Sequence, residues 1–335
     1  MIRPISRAVC AACALLLTMA VASAAQTSNP PQTSPLADAQ RLFDAGQYSQ
    51  SVDLLRAAAA KSPDDPQIPI LLGRCYYELG DFNRAIETLE HGVALAPKDS
   101  QAHDWLGRAY GRKAEQEMFL TAYSFARKTR HEFETAVQLQ PSNLEAQRDL
   151  IRFDMNAPPV VGGGDEKALH EIDSLAQIDP VEADLAHAEF FATKKRFNDA
   201  DQLYQKILAD PKRVGVCLEA ADYYRDSGDA AHMSAAVAAA AKLDPNDRRL
   251  GYYRGVSDVM SGQRPAEAEQ LLRAYLTSTP ENSAMPSHAS TLEWIGALYE
   301  KEGRNSEAAQ EYKACLEIDP KNRAARDGLH RVEKN

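Results

Sequence analysis

LLGRCYYELGDFNRAIETLEHGVALAP, residues Leu71 to Pro97, reads as two helices folded back on each other. Gly80 ends the first helix at a point where a positive φ is convenient. Gly73 and Ala85 are small enough to let the two helices approach closely. Pro97 separates this hairpin from the next unit, since a proline does not continue a helix from within. The same punctuation stands 34 residues earlier, where Gly46-Gln47-Tyr48 corresponds to Gly80-Asp81-Phe82 and Pro63 to Pro97. A fixed period of this kind marks a stack of small repeated units. It displaces the estimate of about two globular domains that 335 residues would otherwise suggest.

Leu72-Gly73-x-x-Tyr76, followed by Gly80, Phe82, Ala85, Leu89 and Pro97, resembles the tetratricopeptide repeat, a helix-turn-helix unit of about 34 residues. Trp105-Leu106-Gly107-x-x-Tyr110 and Trp294-Ile295-Gly296-x-x-Tyr299 repeat the signature, the latter continued by Gly303, Ala308, Tyr312 and Pro320. Pro63, Pro97, Pro141, Pro180, Pro211, Pro245, Pro280 and Pro320 stand at successive unit ends, so eight repeats are expected. Residues 322–333, with Ala325, Leu329 and Val332 on one face, are expected to form a solvating cap helix. The resemblance thus implies an all-α, right-handed α-solenoid over residues 36–335. Gly107, Gly296 and Ala308 would sit at further close approaches, and Gly228 and Gly303 at further helix ends.

The proline spacing is irregular in the third, fourth and eighth units. About ten extra residues around Glu117 to Phe125 are expected between the helices of the third, and residues 157–164 lengthen the turn of the fourth. Insertions in solenoids often mark a working face. With Lys128-Thr129-Arg130 and the triple-glycine turn after it, this region resembles exported bacterial tetratricopeptide proteins of unassigned function.

The formal charge is −10, from 48 acidic and 38 basic side chains, which argues against nucleic acid as a partner. Arg3 and Arg7 precede an apolar run from Ala8 to Ala22, and Ala22-Ser23-Ala24 offers the small residues of a signal-peptidase site with cleavage after Ala24. Residues 1–24 are therefore expected to be a signal peptide and 25–35 a disordered linker, giving an exported protein, periplasmic or secreted. The alternative is an uncleaved membrane anchor, although the run is shorter than the roughly 20 apolar residues that span a bilayer. After cleavage no stable span is expected. Cys10 and Cys13 fall inside the leader. Cys75, Cys217 and Cys315, odd in number and far apart, are expected to be buried thiols, with one bridge left as the alternative.

Chemical motifs are sparse. Gly162-Gly163-Gly164 lacks the Lys-Ser/Thr of a phosphate loop and reads as a tight turn with Asp165 as helix N-cap. His187-Ala188-Glu189 has no Pro-Cys-x-x-Cys to complete a zinc-deaminase site, and His170 with Asp173 lacks a third ligand. No catalytic centre, metal or cofactor is expected.

The family implies that the first helix of each hairpin lines a concave groove. Transferred residue by residue, that places Arg74, Arg108, Arg112, Arg148 and Arg152 in the N-terminal groove, with Tyr77 beside them and Trp105 at the edge. Arginines can grip carboxylates in pairs of hydrogen bonds, which suggests an acidic or C-terminal peptide segment. The competing reading pairs these arginines with Glu78, Asp104, Asp149 and Asp154. Lys and Asn are missing from the positions that co-chaperones use to clamp a terminal carboxylate. In the C-terminal half, Tyr252 and Trp294, with Glu293, Glu300, Asp222 and Asp226 nearby, suggest a groove for a more apolar or basic segment. The functional expectation is a non-catalytic protein-interaction scaffold of the cell envelope. Alternatives are an assembly factor for an envelope or exopolysaccharide export complex, and an enzyme without a recognisable motif.

Overall fold

The computed structural model describes residues 34–334. The expected leader, and all but the end of the expected linker, lie outside the described residues. Seventeen α-helices follow one another with no strand among the described residues. They pair as α1 (Pro35–Asp44) with α2 (Tyr48–Ala59), α3 (Gln67–Glu78) with α4 (Phe82–Leu95), α5 (Ser100–Ala114) with α6 (Phe119–Leu139), and α7 (Leu144–Asn156) with α8 (Asp165–Ala176). The series continues with α9 (Pro180–Thr193) and α10 (Phe197–Ala209), α11 (Val214–Asp226) and α12 (Ala230–Leu243), α13 (Leu250–Ser261) and α14 (Pro265–Ser278), and α15 (His288–Lys301) and α16 (Asn305–Ile318). Helix α17 (Arg323–Val332) caps the stack, so the fold is an α-solenoid of eight hairpins. No described helix is long and apolar enough to cross a membrane.

Local chemistry places these elements. Side-chain oxygens of Asp81, Asp99, Asn143, Asp179, Asp229, Ser287 and Asn322 accept from backbone N–H groups in the first turns of their helices, satisfying donors that a helix start leaves open. Within a hairpin the two helices touch through a small residue. A Cβ built on Gly107 would lie 2.6 Å from the Phe133 ring, so α5 and α6 can pack this closely only with no side chain there. Between hairpins the apolar faces pack into three successive core clusters, with Leu55 and Leu89 in the first, Ile172 in the second and Leu218 and Tyr312 in the third, all at most 2% exposed. Cys75, Cys217 and Cys315 are buried and unbridged, as the sequence suggested.

Two expectations need correction. The extra residues of the third hairpin do not form a loop between its helices. They extend the second helix, α6, to 21 residues, since 119–125 contain neither glycine nor proline. Phe125 packs on Tyr110 with ring centroids 5.8 Å apart, whereas Met118, Phe119 and Leu120 project into solvent. In the fourth hairpin the lengthened turn is present, with a short 3-10 turn at Pro159–Val161. The N-cap of α8 is Gly164, however, and Asp165 is the first helical residue, where it pairs with Lys194 at 2.5 Å.

The inter-helix turn uses a left-handed residue, usually glycine, as at Gly80 with φ 73°. In the fifth hairpin Lys195 occupies it with φ 60°, solvent-exposed, and its side chain adds a steric cost. Lys195→Gly is therefore expected to stabilise the protein by about 1 kcal/mol, read as a higher urea midpoint at unchanged slope.

Candidate functional site

The concave face of the first three hairpins is a ladder of guanidinium groups and aromatic rings. Arg74 of α3 lies over Phe43 of α1 at 4.5 Å and over Trp105 of α5 at 5.0 Å. Arg108, one turn further along α5, covers the same indole at 4.7 Å. Tyr77 meets Trp105 edge-on at 5.4 Å and Phe82 at 5.6 Å, and Arg112 stands 5.4 Å from Phe82. Such contacts contribute about 0.5–2 kcal/mol each, more as water is excluded. Phe43 was not singled out in the sequence, although it stands one period before Tyr77.

Four of the five arginines are neutralised by carboxylates of the chain itself. Arg108 binds Asp104 at 3.0 Å, Glu145 at 3.3 Å and Asp149 at 2.5 Å. Arg112 binds Glu115 at 2.8 Å. Arg148 grips Glu219 through both terminal nitrogens and lies 3.7 Å from Glu182. Arg152 binds Glu189 at 2.9 Å and approaches Glu219 at 3.7 Å. Of the carboxylates expected to pair with these arginines, Asp104 and Asp149 do so. Asp154 is instead taken by Arg130 of α6 at 2.9 Å, and Glu78 by Ser283. Most of the pairs run between hairpins, because the curvature of the stack brings successive first helices together.

Arg74 differs. It forms no ion pair with a described residue, and its Nε is buried without a hydrogen-bond partner. Desolvation pulls its pKa down, yet an arginine stays charged. Arg74 is thus a half-buried cation with rings on its flanks, reached by the Asp44 and Glu145 carboxylates only beyond ion-pair distance.

Beside Arg108, Asp104 is 1% exposed, and burial raises its pKa to about 7, with Arg108 pulling it back and Asp149 and Glu145 pushing it further up. His103 is raised by its hydrogen bond to Glu132, 2.6 Å away, against desolvation. Both groups hold a proton in the folded chain over a range where the unfolded chain has released it, so both make stability fall as pH rises from about 5 towards 8. We expect the N-terminal half to be more stable at pH 6 than at pH 8 by on the order of 1 kcal/mol. Asp104→Asn should remove much of that difference. Melts followed through Trp105 fluorescence in a Trp294→Phe background would reveal it, and a flat profile in the parent would refute it.

Tyr77, Arg108, Arg112 and Arg152 line one cavity of about 670 Å³. Arg74 does not line it, and Arg148 is committed to its carboxylates. In the C-terminal half Tyr252 is 1% exposed, its hydroxyl 2.8 Å from Ser290 Oγ, and it borders a second cavity of about 400 Å³. Trp294 is half-buried against the core and does not line that cavity. Glu293 and Glu300 are drawn towards the cap, to Asn322 at 2.9 Å and Arg331 at 2.6 Å, while Asp222 and Asp226 bind Arg225. His187 stacks on Phe191, and no group of three or more His, Cys, Asp or Glu able to hold a metal occurs among the described residues.

Ser283 borders both cavities. The segment 279–287 between α14 and α15 crosses the groove to the first two hairpins. There the Ser283 hydroxyl and backbone N–H donate to the two Glu78 carboxylate oxygens at 2.5 and 3.1 Å, and Tyr48 donates to the Glu281 carbonyl at 3.3 Å. The sequence showed the extra length of this eighth unit after Pro280, but held no sign of where the loop lands.

The repeats have counterparts among known proteins. Tetratricopeptide-repeat models match residues 42–108 and 289–322, so the chain carries repeats of that superfamily near both ends of the stack. Solved structures of similar fold include a thermophilic tetratricopeptide protein of Thermus thermophilus, 21% identical over 55% of this chain and 94% of that one, TM-score 0.45. A tetratricopeptide repeat protein of Parabacteroides merdae is 14% identical over 90% of this chain and 98% of that one, TM-score 0.45. The C-terminal part of a repeat-containing protein of Cytophaga hutchinsonii is 18% identical over 88% and 99%, TM-score 0.41. A search of curated proteins finds no match.

Proposed function

We propose that this protein is a non-catalytic scaffold of the cell envelope that holds a partner polypeptide in its concave groove, with Arg74 receiving a carboxylate of that partner. The observation that carries the reading is the state of Arg74, the one groove arginine of the five that forms no ion pair with a described residue and whose Nε is buried without a hydrogen bond. The aromatic rings of Phe43 and Trp105 hold its guanidinium plane and supply apolar contact for the partner's chain. Export rests on the N-terminal sequence alone, and the more specific role, docking within an envelope or exopolysaccharide assembly, rests on the same expectation.

A display library of random 12-residue peptides panned on the full chain tests the reading. Peptides with Asp, Glu or a free C-terminus should be enriched, and Arg74→Gln should lose them. Enrichment that is indifferent to acidic residues, or unchanged in Arg74→Gln, would reject it. Arg108 and Arg152 are poor test positions, since replacing either leaves internal carboxylates unpaired.

A further inference from the structure

We propose that the concave face of the first two hairpins is a peptide site already filled by the chain's own segment 279–287, and that a partner enters by displacing it. The fitting partner is an extended segment offering a serine or threonine to Glu78 and a carboxylate to Arg74. This rests on the reading of Arg74 given above and adds the second anchor and the resident occupant.

Solenoid repeats contact their neighbours, so a loop between the seventh and eighth hairpins has no stacking reason to touch the first and second. Its contacts there have the form of ligand recognition, a hydroxyl and an amide N–H delivered together to one carboxylate. The segment is pre-shaped for that delivery. Its ends are tied by His288, which contacts the Thr279 carbonyl at 2.9 Å and, through its backbone N–H, the Glu281 carboxylate at 2.8 Å. Tyr275 holds the Pro286 carbonyl at 2.7 Å. The first hairpin is shaped to receive it, for a Cβ on Gly46 would stand 2.8 Å from Pro280 Cβ.

As a ligand the segment is incomplete. Its one carboxylate, Glu281, is engaged by His288, so Glu78 is satisfied while Arg74, one turn away on the same helix, has no ion pair with a described residue. The contacts to Glu78 are open to solvent, so the strap is held chiefly by its tether, whose effective concentration a partner overcomes by filling both anchors.

Amide exchange over residues 279–287 in the full chain, read by mass spectrometry, tests occupancy. Gly46 and Gly80 have φ of 71° and 73°, so alanine strains both backbones alike, but a Cβ on Gly80 meets nothing within 4 Å. Exchange should be roughly tenfold faster in Glu78→Ala and Gly46→Ala and unchanged in Gly80→Ala. No change in the first two, or equal acceleration in all three, overturns the proposal. The site itself is tested with the strap replaced over 280–286 by glycine and serine. The probes are the capped peptide of residues 278–287 and versions carrying aspartate at each position in turn. The parent peptide should bind the replaced protein and not wild type, and one aspartate version should bind roughly tenfold tighter, a gain lost in Arg74→Gln. Absence of binding by every peptide overturns the site. Binding by the parent peptide without gain from any aspartate overturns the two-anchor partner and the Arg74 reading, and leaves the strap as the occupant.

Discussion

Arg148→Ala is expected to destabilise the protein by about 3 kcal/mol and to loosen the middle of the superhelix. Arg148 reaches from the fourth hairpin past Glu182 of the fifth to Glu219 of the sixth. Glu182 is 7% exposed and one of its oxygens already lacks a hydrogen bond, so removing the guanidinium leaves buried negative charge with only Arg213 nearby at 3.4 Å. The figure lies at the low end for a broken buried pair because Glu219 is 31% exposed and can recover water. Small-angle scattering should show a larger radius of gyration and denaturation a lower midpoint. Pairing Arg148→Met with Glu182→Gln should recover much of the loss, because the buried charge that the lost guanidinium would strand is then absent. An Arg148→Ala protein with parental midpoint and size would show that the cross-hairpin cluster holds nothing together.

The second large effect is expected at Gly107, where valine should cost about 3 kcal/mol. Its Cβ would fall 2.6 Å from Phe133, which is 5% exposed and has no room to withdraw, and 3.3 Å from the Thr129 carbonyl oxygen. Helices α5 and α6 would have to separate, opening the core between the second and fourth hairpins. Alanine at the same site should cost less, and Gly107→Val with Phe133→Leu should recover part of the loss. If the valine variant melts with the parent, the close-packing account of the repeat signature is wrong.

These two positions differ in how legible they were. Gly107 stands in Trp105-Leu106-Gly107-x-x-Tyr110, and the tetratricopeptide resemblance carried by that signature assigned it to the contact between two helices. The same holds for Gly73, for the turn at Gly80 and for the prolines between hairpins, each acting within about 34 residues of its neighbours. The groove arginines were legible as a set, but their occupation was not. Which of them meets Glu219, 71 residues beyond Arg148, depends on the curvature of the whole stack. Residues 117–125 were misplaced for a local reason: extra residues without a helix breaker can lengthen a helix as readily as a loop, and packing of Phe125 on Tyr110 selects the helix.

The sequence by itself determined the eight hairpins and the buried thiols, because periodicity and small residues act over one repeat, whereas the groove positions of the arginines were only what the family resemblance implies. Only the tertiary structure decided that Arg74 alone of the five forms no ion pair with a described residue, that Asp104 is buried enough to hold its proton near neutral pH, and that residues 279–287 cross the groove to Glu78. Each of these depends on how far the superhelix turns, a sum of small rotations at every hairpin interface that no single repeat encodes.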